Sequence, residues 1–224
     1  MKFLFYRPLK ITSEEAKILF WSDTHFGHKC EHWSNPLWSA RGFKSIDEHD
    51  NSLIERWNSV STEQTTFFHL GDFIFGYDSF NRMNQIVNRL SFKHLYLMPG
   101  NHCSGWKQHF EKIPGNIWNL SNNKKIFFIP NYIECYINGQ PIVMSHFPIA
   151  SWNGQGKGSW MLHGHCHGNL ENSEIGPLLY KTKTLDIGVE KYNFPASFKE
   201  IRAVFAQKPT LTYDHHNSNT QNPF

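Results

Sequence analysis

The sequence predicts an α/β fold, and three observations carry the prediction. Between residues 17 and 98, short apolar runs alternate with stretches of helical periodicity, the order expected of parallel strands joined by helices. After about residue 115 the texture becomes β-rich, and Asn138-Gly139 separates two strand-like runs as a tight hairpin turn would. The 224 residues suit one large domain, with no internal repeat and no linker to divide them. A single domain over residues 1–214 and a flexible polar tail over 215–224 are therefore expected.

Lys17-Ile-Leu-Phe-Trp21 is apolar throughout and stops at Ser22-Asp23, as a buried strand feeding a site would. Ser45-Ile-Asp-Glu48 has the spacing of a capping box, and Leu53, Ile54, Trp57 and Val60 follow at helical spacing. Thr65 to Leu70 reads as the next strand and ends at Gly71-Asp72. Phe80, Met83, Val87 and Leu90 mark a second amphipathic helix, and Phe92 to Met98 a third strand closed by Pro99-Gly100. Further strands are expected at Lys125–Ile129, Tyr132–Ile137, Pro141–Met144, Trp160–His163 and Thr182–Val189, with antiparallel pairing in this half. Pro195 to Glu200 starts a short helix, and Ser151 to Ser159, rich in Gly and Ser, is expected to be a flexible loop.

Composition narrows the function. A formal charge of +3 suits a phosphorylated substrate but falls short of the basic stripe of a dedicated nucleic-acid binder. Phe, Trp and Tyr make up 16% of the chain, which predicts an aromatic core rather than stacking platforms. The four cysteines, Cys30, Cys103, Cys135 and Cys166, form no C-x-x-C pair and resemble neither a zinc ribbon nor a disulfide framework. Phe3 to Tyr6 is too short for the apolar region of a signal peptide, and no run approaches the roughly 20 residues of a membrane helix. A soluble, cytoplasmic protein is the expectation. Of the 14 histidines, His32, His49, His94, His109, His215 and His216 read as surface or hydrogen-bonded residues.

Five stretches hold the chemistry: Asp23-Thr-His25, Gly71-Asp72, Gly100-Asn101-His102, Ser145-His146 and Gly164-His165-Cys-His167, each at or just past a predicted strand. Together they place carboxylate, amide and imidazole donors at strand ends, with no thiolate needed. Hard cations prefer oxygen, whereas imidazole suits Mn, Fe, Ni and Zn, so the mixture points to those metals rather than to Ca. In Asp23-x-His25 and His165-x-His167, an extended backbone would send both side chains to one face. Gly71, Gly100 and Gly164 precede candidate ligands, where the lack of a Cβ permits a sharp turn. Any one of these pieces is ordinary; their joint order after successive strands is not.

That order resembles the calcineurin-like metallophosphoesterases over roughly residues 17–190. Ser22-Asp-Thr-His-Phe-Gly-His28, His69-Leu-Gly-Asp72, Ser145-His-Phe-Pro148 and Leu162-His-Gly-His165 are similar to the small stand-alone phosphoesterases of bacteria and phages. The resemblance implies a four-layer α/β/β/α sandwich with mixed sheets and a dinuclear site at the strand–helix loops. It assigns one metal to Asp23, His25, Asp72 and His167. The other takes Asn101, His146 and His165, with Asp72 bridging. Two divalent ions, Mn foremost and Fe, Ni or Zn as alternatives, would sit about 3.5–4 Å apart and hold a hydroxide for in-line attack on phosphorus. His102 is the residue expected to protonate the leaving group.

Beyond this set, His28 and Arg41 are candidate substrate-binding residues, Arg41 through its guanidinium fork. His163 is expected to pack in the core or to support a ligand, and Asp186 resembles a structural position of the family that orients a ligand histidine. One residue departs from the family pattern: an acidic residue usually follows G-N-H, and here Cys103 stands in its place. Either another carboxylate reaches His102 or the acid step is weaker. Protein phosphatases of the superfamily usually carry an arginine soon after G-D, and none occurs here before Arg82. The implied function is hydrolysis of a phosphate ester, a diester in preference to a monoester, on a nucleotide or short oligonucleotide. The alternative is a non-catalytic scaffold on the same fold.

Overall fold

The computed structural model describes residues 8–28, 36–75, 79–103 and 113–211. The predicted tail at 215–224, together with Cys30, His32 and His109, lies outside the described residues. Among the described residues the strands are β1 (Leu9–Ile11), β2 (Ile18–Trp21), β3 (Thr66–His69), β4 (His94–Leu97), β5 (Ile117–Asn119), β6 (Lys125–Phe128), β7 (Tyr132–Ile137), β8 (Gln140–Ser145), β9 (Trp160–His163), β10 (Thr184–Asp186) and β11 (Ala196–Ser197). The helices are α1 (Leu37–Ala40), α2 (Ile46–Val60), α3 (Ser79–Arg89), α4 (Gly176–Leu179) and α5 (Phe198–Ala206). None is long and apolar enough to cross a membrane.

Two mixed sheets form. The first runs β11-β2-β3-β4-β6-β5, with β2, β3, β4 and β6 parallel and the two edge strands antiparallel to their neighbours. The second runs β1-β7-β8-β9-β10, and only its β7–β8 pair is antiparallel. The antiparallel half expected from the sequence thus reduces to the Asn138-Gly139 hairpin and the β5 and β11 edges. Asn138 (φ 49°) and Gly139 (φ 82°) both take the left-handed backbone that such a two-residue turn requires.

Alternation along β2 explains why it is apolar throughout. Ile18 and Phe20 enter a core between the sheets with Phe68, Met98, Ile133, Met144, Leu162 and α5 residues Phe198, Ile201 and Phe205. Leu19 and Trp21 face the opposite way, into a core shared with α2 and α3 through Leu53, Trp57, Met83, Val87 and Leu90. Strict register places Phe20, Phe68, Tyr96 and Phe127 side by side across four parallel strands. Their rings stack at 5.3, 4.8 and 4.8 Å, and full burial of Phe20 and Phe68 contributes about 1.5–3 kcal/mol each. Trp57 lies flat on Phe67 at 3.4 Å and anchors α2 to the first sheet, its Nε1 donating to Ser91 O.

Ser45 caps α2 as expected, accepting from Glu48 N at 3.1 Å. The Glu48 carboxylate turns to Lys44 N rather than to Ser45, so the box closes one residue early. Ser197 and Glu200 form the full reciprocal box at α5. On the outer face of the second sheet, Trp152 and Ile149 pack on Val143 and Met161. Residues 151–159, expected to be flexible, are therefore a folded pad: Trp152 Nε1 donates to Ser159 O, and Gln155 is buried.

Candidate active site

All the predicted ligands follow carboxyl ends of strands: Asp23 and His25 after β2, Asp72 after β3, Asn101 after β4, His146 after β8, and His165 and His167 after β9. The first three strands belong to one sheet and the last two to the other. Backbone bonds stitch the sheets together beside them, with Val189 N donating to Ser22 O at 3.2 Å and Ser22 bridging Gly188.

The backbone at these positions is strained. Among the described residues, every non-glycine residue with positive φ is either an asparagine or one of five candidate ligands: Asp23 (61°), His25 (49°), Asp72 (51°), His165 (72°) and His167 (48°). Left-handed backbone costs such residues about 1–3 kcal/mol each, and strain of this kind collects at functional sites. The extended geometry expected for Asp23-x-His25 and His165-x-His167 is thus corrected: left-handed residues, not strand alternation, turn these side chains inward. The role expected of the glycines changes too. Of Gly71, Gly100 and Gly164, only Gly71 has positive φ, at 106°. A Cβ on Gly100 would overlap Asp72 Oδ1, and one on Gly164 would overlap Ser22 Oγ and Asp23 Oδ2. Those two glycines make room for carboxylates rather than for a turn.

Asp72 sits at the middle of the cluster. Its Oδ2 is 3.7 Å from His25 Nε2 and 3.4 Å from His146 Nε2, while Oδ1 accepts from His102 N at 2.9 Å. Ligating atoms of Asp23, His25 and His167 lie within 4.8 Å of one another, as do those of Asp23, Asp72 and His146. Asn101 Oδ1 lies 2.9 Å from His146 Nε2 and 3.0 Å from His165 Nδ1. His146 Nδ1 donates to Leu70 O at 2.9 Å, which leaves its Nε2 with a lone pair aimed into the cluster. Atoms about 2.1 Å from a shared cation at right angles to each other would be about 3 Å apart, so the Asn101–His146–His165 spacing fits a common ion.

Buried polar atoms rarely go without a partner. Here Asp23 Oδ1 and both ring nitrogens of His25 are buried with no hydrogen-bond partner. Burial pushes the Asp23 carboxyl up to about 7, against the pull of His146 and His167. Burial also drives His25 well below the usual imidazole range, assisted by the charge of Arg41. At Asp72 burial acts upward, but bonds and charge from His146 outweigh it and hold the carboxyl low. At His146 burial acts downward, and the Asp72 and Asp23 carboxylates outweigh it and raise the imidazole. Such a buried cradle of carboxylates and imidazoles suits a cation, and a divalent ion would satisfy the orphaned His25 and Asp23 atoms.

Behind the cluster runs a second layer that the sequence reading only partly anticipated. Glu190 Oε1 accepts from His167 Nδ1 at 2.6 Å, fixing that ring with Nε2 toward the site. Arg41, a candidate substrate clamp on its sequence and otherwise a surface arginine, is engaged behind the site instead. Its five N–H groups go to Glu190 (through Nε and Nη2), Asp23 O, Thr24 O and His49 Nε2. His49 Nδ1 in turn meets Asp50, whose carboxylate accepts from Gly27 N. Arg41 therefore holds the backbone of the Asp23–His25 segment from behind. Asp186 contacts no ligand ring; it accepts from Gly168 N and Gly188 N and ties the loop after His167 to β10. His163 is fully buried, its Nδ1 donating to Gly164 O at 2.9 Å and its Nε2 accepting from Tyr180 Oη at 3.3 Å. Glu190 was missed because a lone carboxylate after Gly188-Val189 has no spacing to mark it.

The two remaining histidines line the site. His102 is half-buried, with its ring 5.5 Å from that of His25 and 5.3 Å from Phe75. His28 packs edge-on to Phe75 at 4.2 Å, and burial, together with the nearby His102, pushes it down to about 4. Among the described residues no carboxylate lies within hydrogen-bond distance of the His102 ring. Cys103, in the place of the usual acid, is buried in the core beneath α2 and α3.

Comparison with known proteins bears on this geometry. A family model described as calcineurin-like phosphoesterase matches residues 16–221. An uncharacterized protein of Methanocaldococcus jannaschii is 27% identical over 80% of this chain and 84% of its own length. The Gene 66 protein of Mycobacterium phage L5 is 28% identical over 66% of this chain and 76% of its own. The crystal structure of a protein of unknown function from Aquifex aeolicus shares the fold, with a TM-score of 0.57 at 21% identity, covering 84% of this chain and 98% of that one.

Proposed function

Because the chain belongs to the calcineurin-like phosphoesterase family, we propose that it is a metal-dependent phosphodiesterase acting on a nucleotide-type substrate, in a cytoplasmic setting. The observation that carries the reading is the concentration of left-handed strain at five candidate ligands, next to a His25 ring whose nitrogens have no hydrogen-bond partner. In this reading Asp23, His25, Asp72 and His167 hold one divalent ion, and Asp72, Asn101, His146 and His165 the other. When bound, the pair supplies Lewis acidity toward phosphoryl oxygens and an activated water near neutral pH. Mn is the favoured metal, on the mixed oxygen and imidazole donors.

The chain's own residues do the rest. Asp72 accepts the His102 N–H, so the carboxylate between the two ligand sets also fixes the backbone of the proton donor. His102 then presents its ring beside His25, where it can protonate the departing ester oxygen. Glu190 and Arg41 keep His167 and the Asp23–His25 backbone from shifting. A diester is favoured over a monoester because a dianionic phosphate calls for extra cationic donors. Arg41 is committed behind the site, and burial keeps His28 neutral at pH 7.

A substrate panel tests the proposal. Protein loaded with Mn, Fe, Ni or Zn is assayed on bis-p-nitrophenyl phosphate, p-nitrophenyl phosphate, cyclic nucleotides and short RNA. Turnover of diesters above the monoester is expected. Monoester preference would remove the diesterase assignment, and no turnover with any metal would favour the non-catalytic scaffold.

A further inference from the structure

Phe147 stands 41% exposed, although Ser145 and His146 immediately before it are buried. Its ring lies 4.6 Å from that of His165 and 5.0 Å from that of His146, edge-on to both. Tyr132, Tyr136 and Phe194, the other exposed aromatic residues among those described, make no ring contact with a candidate ligand. Pro148 restricts the Phe147 backbone to extended conformations. Just beyond it, Ile149 and Trp152 root the segment on Val143 and Met161. The ring is therefore held at the mouth of the site from a fixed base.

His102 and Phe147 serve different sides of the cluster. His102 makes ring contacts with His25 and His28, and Phe147 with His146 and His165. A leaving group protonated by His102 departs on the His25 side, which leaves the retained arm of the ester on the Phe147 side. Arg41, committed to Glu190 and to the backbone behind the site, offers that arm no guanidinium.

We propose that Phe147 forms an aromatic subsite beside Asn101, His146 and His165, taking the planar base of a nucleoside that stays esterified to the phosphate. The inference rests on the phosphoesterase reading and deepens it. Base–aromatic stacking is sequence-tolerant, so the subsite selects for a base rather than for one particular base.

The test uses the full, metal-loaded chain and two diesters with the same p-nitrophenolate leaving group, thymidine 5′-p-nitrophenyl phosphate and methyl p-nitrophenyl phosphate. Phe147→Ala is expected to lower kcat/KM on the thymidine ester by about tenfold, mainly through KM, with the methyl ester held within about twofold and Phe147→Trp retaining the preference. Equal loss on both esters would make the ring a prop for His165 and overturn the subsite, as would no loss on either. Calorimetry with thymidine 5′-phosphate and methyl phosphate reads the subsite without turnover. The wild type should prefer the nucleotide and Phe147→Ala should not. A wild type that binds both alike overturns the subsite even if it hydrolyses diesters, whereas absent hydrolysis overturns only the phosphoesterase reading.

Discussion

His69 has its Nε2 against Thr24 Oγ1, whose hydroxyl donates onward to Phe73 O, while the ring packs among Trp57 and Phe73. Burial pushes this imidazole from 6.5 down to about 3. Its folded pKa is depressed, so the stability it contributes is complete above 6.5 and is lost as pH falls toward 3. His69→Phe, which keeps the ring and removes the proton site, should flatten the decline in urea midpoint between about pH 7 and pH 4. An unchanged slope would contradict the assignment. Cys103 makes a second case: Cys103→Asp would restore the family's usual acid but bury a carboxylate in an apolar core. A loss of at least about 1–3 kcal/mol in urea unfolding is expected, and an unchanged midpoint would show that the side chain can turn toward His102 instead. The candidate ligands were readable from the sequence because their order after strand-like runs is visible there. The left-handed backbone that aims them was not, because Asp and His have no local preference strong enough to announce it; tertiary bonds such as Asp23 N to Gly71 O and His25 N to Asp72 O impose it.

At the scale of elements, the long strands and α2 and α3 were legible from their apolar patterns, since each buries a continuous apolar face, whereas of α5 only a start near Pro195 to Glu200 was. β1, β5 and β11 were not, because two or three residues are too few to show a period. The 151–159 segment misled for a related reason: one buried Trp152 organises it against the glycine-rich composition. Arg41 misled because a guanidinium that serves a carboxylate has the same sequence signature as one that serves a phosphate. Its link to Glu190 and His167 makes a prediction at this scale. Glu190→Gln removes the charge that His167 leans on, and a metal ligand deprived of such support typically binds about 10–100-fold more weakly. Competition titration with a chelator should show one weakened ion and one unaffected ion; two unchanged affinities would contradict the role of Glu190.

At the scale of the molecule, the site exists only where the two sheets meet. β2, β3 and β4 contribute one group of candidate ligands and β8 and β9 the other, held in register by the shared aromatic core and the Val189–Ser22 seam. The sandwich explains why residues as far apart as Asp23 and His165 touch, His165 N donating to Asp23 Oδ2 at 2.9 Å. The central claim is that this seam holds a pair of divalent ions that the chemistry requires. The most direct measurement is Mn titration of chelator-stripped protein, with bound metal and bis-p-nitrophenyl phosphate hydrolysis followed together. Two ions per chain are predicted for the wild type, with hydrolysis appearing as the pair fills. Asp72→Asn, with its far-UV circular dichroism unchanged, should lose the pair and the activity. Hydrolysis that survives complete chelation, or an Asp72→Asn protein that keeps both ions and full turnover, would contradict the account.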